Sequence, residues 1–308
     1  MKRLVICLAV CAFLPRPLCA QERTAETSPT KIRANGVELH YLDQGKGVPV
    51  FFIHGGLEDY RAWEPQIEAF SQRYRTIAYS RRYNFPNRRV APGTHYSAIV
   101  DAEDVAALIK KLKLAPAHVI GVSYGAYAAL FLAVRHPALV RSLVLSEPPV
   151  LPWLPELEGG KPLFTEFMAK VWEPTVRGFR EGDEAGLKAA IEGFGQLGYV
   201  VAGERVTFAT LPPEVRSFLL QNAAEWKALT MSTEAFPALP LEAVKHIRAP
   251  TLLLSGQRTL ELHKVIDGQL GSLLPKNERI ILPNASHEMW NEYPEECRNA
   301  ALAFVATH

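Results

Sequence analysis

Hydrophobic positions along this chain follow two different rhythms. Val48–Ile53, Ala117–Val122, Ser142–Ser146 and Thr251–Ser255 are short, nearly continuous apolar runs, the pattern of strands covered on both faces. Tyr74–Tyr79 and Arg279–Leu282 read as two further strands. Between these runs the period lengthens. In Ala98–Leu112 the apolar residues Ala102, Val105, Ile109 and Leu112 recur every three or four positions, which predicts an amphipathic helix. Helices are also predicted over Ala126–Arg135, Leu262–Leu274 and Pro294–Val305. Before them all, Lys31–Gly36 and Val37–Asp43 read as two short strands around an Asn35-Gly36 turn. Strands alternating with helices predict an α/β fold with a mostly parallel central sheet flanked by helices.

The alternation stops between Pro148 and His246. Pro148, Pro149, Pro152 and Pro155 punctuate the start of this stretch, which lacks a comparable buried strand. Helical patterns follow near Leu163–Arg180, Ala185–Gln196 and Pro213–Leu229. A stretch of this length set between two sheet strands predicts a helical subdomain rather than a loop. It carries Trp153, Trp172 and Trp226, which suit either an acyl pocket or the subdomain's own core.

The N-terminus changes the picture drawn from the whole chain. Lys2 and Arg3 precede the apolar run Leu4–Leu14, and small residues lead to Ala20. This is the pattern of a secretory signal peptide over residues 1–20, too short to span a bilayer. Export to the periplasm or the exterior follows, with no stable membrane span after cleavage. Cys7, Cys11 and Cys19 would leave with the signal, so the mature chain would keep Cys297 alone and form no intrachain disulfide. Cys297 is expected to be a small packing residue. The 308 residues carry 34 basic and 32 acidic side chains, a balance that offers no footprint for nucleic acid. No Cys/His spacing suggests a metal site, and no cofactor is implied. Nothing in the pattern sets the oligomeric state.

Gly121-Val122-Ser123-Tyr124-Gly125 matches Gly-x-Ser-x-Gly between a predicted strand and a predicted helix. A sharp turn there presents the Ser123 hydroxyl above the sheet, and the flanking glycines avoid collisions with neighbouring elements. A serine needs a base. His287, in Pro283-Asn284-Ala285-Ser286-His287-Glu288, lies just past the last predicted strand. His54, His95, His118 and His136 are poorer candidates. Acyl transfer also needs donors for a developing oxyanion. The backbone N–H of Tyr124 is one, and the loop His54-Gly55-Gly56 after Val48–Ile53 supplies the other. Gly56 is the assigned donor, with Leu57 as the alternative, and His54 is expected to stabilise the turn.

Over Lys31 to the C-terminus, the elbow, the His-Gly-Gly loop and the late histidine resemble the α/β-hydrolase superfamily in its cap-bearing branch. The resemblance implies a core of residues 21–147 and 247–308, with 148–246 as a helical cap. It also implies an acid that orients His287. Most members carry Asp three residues after the glycine that ends the post-cap strand, where Gly256-Gln257-Arg258-Thr259 here places a threonine. A minority carry the acid directly after the pre-cap strand, where this chain has Glu147 at the spacing from Ser123 found in dehalogenase-like members. Glu147 is therefore the assigned acid, with Glu261 and then Asp267 behind it.

The implied activity is a serine esterase or lactonase working on a small-molecule ester or lactone through an acyl-enzyme. Haloperoxidase- or perhydrolase-like and carbon–carbon-bond hydrolases share the same residues and stand as alternatives, as does a binding module that has lost activity. Family dehalogenases and epoxide hydrolases use an aspartate nucleophile, which Ser123 is not. Arg81, Arg82, Arg88 and Arg89, interleaved with Tyr83 and Phe85, suggest either contacts to an anionic substrate group or surface ion pairs with the Asp101 and Glu103 region.

Overall fold

The computed structural model describes residues 28–87 and 95–308. The proposed signal segment, Arg88 and Arg89 lie outside the described residues. Among the described residues, ten strands run in chain order: β1 (Thr30–Ala34), β2 (Val37–Gln44), β3 (Pro49–Ile53), β4 (Arg75–Tyr79), β5 (Ala117–Val122), β6 (Val140–Ser146), β7 (Val200–Val201), β8 (Glu204–Arg205), β9 (Thr251–Gly256) and β10 (Asn277–Leu282). Eight of them form one sheet in the order β1-β2-β4-β3-β5-β6-β9-β10. The pairings from β4 to β10 are parallel, while β2 joins β4, and β1 joins β2, antiparallel. The expected α/β fold is thus the observed one. The β1–β2 hairpin turns on Asn35 and Gly36, both at positive φ (45° and 80°), the backbone that a tight two-residue hairpin requires.

The buried runs explain themselves in this sheet. Along β3, Phe51 and Ile53 enter one apolar core with residues of the helices Ala98–Lys111, Tyr124–Arg135 and Glu261–Leu273. Val50 and Phe52 enter a second core with the helices Glu64–Ser71 and Pro294–Thr307. Alternate side chains of one strand therefore serve two cores, so the period-two signature vanishes into a continuous apolar run. Cys297 is fully buried in the second core, as a packing residue should be.

Between β6 and β9 the chain is mainly helical: Gly160–Phe167, a π-turn at Met168–Trp172, Glu173–Glu181, Asp183–Gln196, Pro213–Met231 and Leu241–Lys245. Its strands are the two-residue β7 and β8, which pair as a small hairpin. With two residues in each strand and neither strand buried, this hairpin leaves no trace in the sequence reading. Among the described residues, no helix is long and apolar enough to cross a membrane.

Candidate active site

The polar residues singled out from sequence converge at the carboxyl ends of the parallel strands, where open α/β sheets gather their sites. Ser123 follows β5 and Glu147 follows β6, while His54 and Gly56 follow β3. Gly256 closes β9, and His287 lies in the loop after β10.

Ser123 sits at φ 51° and ψ −122°, between the last residue of β5 and the first of the following helix. A serine holds such a conformation only when its surroundings force it. A Cβ at Gly121 would fall 2.8 Å from the Ala126 nitrogen, and one at Gly125 would fall 2.4 Å from the carbonyl oxygens of Ile53 and His54. Both flanking positions therefore require glycine. Tyr124 opens the helix, where backbone N–H groups lack intrahelical acceptors.

Glu147 is fully buried and, at φ 47°, also occupies the left-handed region. Its carboxylate accepts from three donors: His287 Nδ1 at 2.5 Å, Gly256 N at 2.7 Å and the Thr259 hydroxyl at 2.7 Å. The threonine in the family's usual acid slot thus donates to the carboxylate in the other slot. The two slots are neighbours because β6 and β9 are adjacent, with Ser146 opposite Leu254. Burial alone would raise the Glu147 pKa. The His287 hydrogen bond, the nearby imidazoles and the Thr259 hydroxyl outweigh it and hold the carboxyl below its ordinary range. Burial likewise opposes protonation of His287, but Glu147 wins and raises the imidazole above 6.5. With Nδ1–H committed to a carboxylate, Nε2 keeps its lone pair. Of the other acid candidates, Glu261 pairs with Lys264 on the helix surface. Asp267 is buried and accepts from the Ser255 hydroxyl at 2.5 Å.

Several residues here escaped the sequence reading. His263, 5% exposed, stacks on His287 with ring centroids 4.5 Å apart and planes 16° from parallel. Burial and the neighbouring imidazole lower its pKa to about 3, so the ring is neutral. Glu147, His263 and His287 hold ligand-type atoms within 4.8 Å of one another. Within this set Glu147 and His287 share a hydrogen bond, and His263 lies stacked on the His287 ring with its Nδ1 unpartnered. Glu58 accepts from Gly55 N at 2.8 Å, and burial together with Glu288 pushes its pKa up to about 8. The hydroxyl of Tyr199 in turn donates to Glu288.

The loop after β3 is held on both sides. His54 accepts from the Arg81 backbone N–H through Nε2 (3.0 Å), so its Nδ1 carries the proton donated to Gly55 O at 2.8 Å. This is the turn-stabilising part expected of it. Leu57, the alternative oxyanion donor, commits its N–H to Glu225 at 2.8 Å, which leaves Gly56 as the stronger assignment. The arginine cluster needs a correction. Arg81 does pair with Asp101 but is fully buried, and Arg82 donates to Asp104 with both side chains largely covered, so neither is a surface pair or an open anion site. Trp153 is core, donating to Leu239 O at 2.6 Å. Trp226 instead lies over the loop after β3, where a Cβ on Gly56 would sit 2.7 Å from its indole nitrogen.

Comparison with known proteins bears on the fold. The family model described as the alpha/beta hydrolase fold matches residues 48–289. A protein of Mycobacterium tuberculosis named as a candidate non-heme bromoperoxidase, BpoC, is 27% identical over 88% of this chain and 98% of its own length. The 2-hydroxy-6-oxo-6-(2'-aminophenyl)hexa-2,4-dienoic acid hydrolase of Metapseudomonas resinovorans is 25% identical over 89% of this chain and 90% of its own. Among solved structures, Est816, described as an N-acyl homoserine lactone degrading enzyme, superposes with a TM-score of 0.68 at 22% identity, covering 89% of this chain and all of that one.

Proposed function

The chain belongs to the α/β-hydrolase family, and from that premise we propose that it is a serine hydrolase cleaving a carboxylic ester or lactone through an acyl-enzyme. The observations that support the reading are a strained serine at the strand–helix elbow and, at the same ends of the parallel strands, an imidazole whose Nδ1 is bound by a buried carboxylate. Ser123 Oγ attacks the carbonyl carbon as His287 Nε2 takes its proton. The oxygen that becomes negative is held by the N–H groups of Gly56 and Tyr124. His287, now a cation stabilised by Glu147, returns the proton to the departing alkoxide; in a lactone that oxygen stays tethered to the acyl group. Water then attacks the ester on Ser123 with His287 again as base, which releases the acid and restores the hydroxyl.

In this reading residues 148–246 act as a cap, and Trp226 brings it over the oxyanion loop. Residues 1–20 direct export, so the enzyme works in the periplasm or outside the cell. A second reading, perhydrolysis or carbon–carbon-bond hydrolysis on the same residues, draws support from the names of the two relatives. A panel of nitrophenyl esters of graded acyl length, lactones and peroxide-dependent bromination separates the two. Ester or lactone turnover that disappears in Ser123→Ala is the expected result. Bromination or carbon–carbon cleavage exceeding every ester would replace this reading with the second.

A further inference from the structure

Arg81 is a fully buried guanidinium at a junction the hydrolytic cycle does not itself use. Its Nη1 donates to Asp101 at 2.7 Å and to the Tyr96 hydroxyl at 3.2 Å. Its Nη2 donates to Gly55 O at 2.8 Å and to Glu225. Its Cζ also lies 5.1 Å from the centre of the Tyr124 ring. Glu225, buried on the helix Pro213–Met231, accepts from Leu57 N with its other oxygen, across 168 positions of sequence.

The chemistry of this junction concerns one peptide unit. Gly55 C=O and Gly56 N–H belong to the same amide. A charge-assisted donor on the carbonyl oxygen draws electron density toward it and makes the N–H a stronger donor. His54 Nδ1 occupies the same oxygen, so both acceptor directions of that carbonyl are filled and the amide plane is fixed. The next N–H, that of Leu57, is turned away by Glu225. With Gly55 N–H given to Glu58 and Leu57 N–H to Glu225, Gly56 N–H is the amide of this turn assigned to the oxyanion.

We infer that Arg81 and Glu225 are positioning residues that orient and polarise the Gly56 peptide, making the strength of the oxyanion hole depend on the inserted helix as well as on the sheet. Asp101 and Glu225 balance the buried cation, and Glu225 supplies the strut that ties the helix Pro213–Met231 to the loop. The inference rests on the serine-hydrolase reading for its kinetic consequence, but the hydrogen bonds themselves do not.

The test uses the full-length protein with Arg81→Lys, which keeps the charge but lacks the two-pronged reach to Asp101 and Gly55 O, and Glu225→Gln, which keeps the shape. Aryl esters and the matching thionoesters are the probes, because sulfur gains little from donors placed for oxygen. Both variants are expected to lose about tenfold in kcat with KM within about twofold, a fraction of the 10²–10³ lost when a donor is removed outright. The preference for oxygen over sulfur substrates should shrink in parallel. In ¹⁵N-glycine-labelled protein without substrate, the Gly56 amide proton should move upfield in both variants. Rates that fall equally for both substrate types, with an unmoved Gly56 resonance, would overturn the inference. Should the wild type hydrolyse no ester, the serine-hydrolase reading fails, and the Gly56 resonance still decides the positioning role. If Arg81→Lys does not fold, Glu225→Gln decides alone by the same measurements.

Discussion

Replacing Glu147 by glutamine probes the least conventional part of the site. The carboxylate accepts three hydrogen bonds of 2.5–2.7 Å and donates none. An amide of the same shape has one acceptor oxygen and an NH₂ group, so at least one of these donors must face another donor. Gly256 N–H meets one oxygen, while the Thr259 hydroxyl and His287 share the other. If the amide oxygen stays with Gly256, the NH₂ meets Thr259 and His287 and drives the ring to the tautomer with its proton on Nε2. Loss of the correct tautomer costs on the order of 10⁴ in kcat, about 5 kcal/mol of barrier. Steady-state hydrolysis of a nitrophenyl ester reads the loss, and a melting curve shows that the fold survives. The double variant Glu147→Gln/Thr259→Asp adds a mechanistic check. The Thr259 hydroxyl lies 2.7 Å from the carboxylate oxygen that meets His287, so an aspartate there brings a negative oxygen within reach of the same imidazole. It should recover roughly one to two decades of the lost rate, by the same tautomer argument. A Glu147→Gln enzyme within tenfold of wild-type kcat would refute the reasoning.

Two further outcomes follow from the same geometry. Because only neutral His287 accepts the serine proton, and Glu147 raises its pKa above 6.5, kcat/KM should climb with pH through a midpoint above 6.5; a midpoint below that value contradicts the ion pair. His263→Ala removes the ring stacked on His287 and should lower kcat severalfold, consistent with a stacking contact of about 0.5–1.5 kcal/mol, while His263→Phe restores most of it; equal losses in both would assign His263 a role beyond stacking.

How much of this was legible depended on how local each cause is. The elbow is written in five consecutive residues, even though only the collision at Gly121 arises within the turn, while that at Gly125 comes from the end of β3. Glu147 was readable by comparing two slots, one of them filled by a threonine that holds no charge. That the two slots share a hydrogen bond emerged only from the adjacency of β6 and β9. His263 carried no such mark, since its stack depends on how the helix Glu261–Leu273 is rotated against the loop after β10. Arg81 was visible as part of a charge cluster. Its burial depends on Glu225, which reaches it across 144 positions of sequence. The small β7–β8 hairpin left no pattern because neither strand is buried.

The central claim is that Ser123 becomes covalently acylated. Mass spectrometry of the intact and digested protein after reaction with a fluorophosphonate tests it directly. The account predicts a single adduct on the peptide containing Ser123, formed by the wild type and absent in Ser123→Ala. A wild-type protein that remains unlabelled while folded, or an Ser123→Ala protein labelled to the same extent, would contradict it.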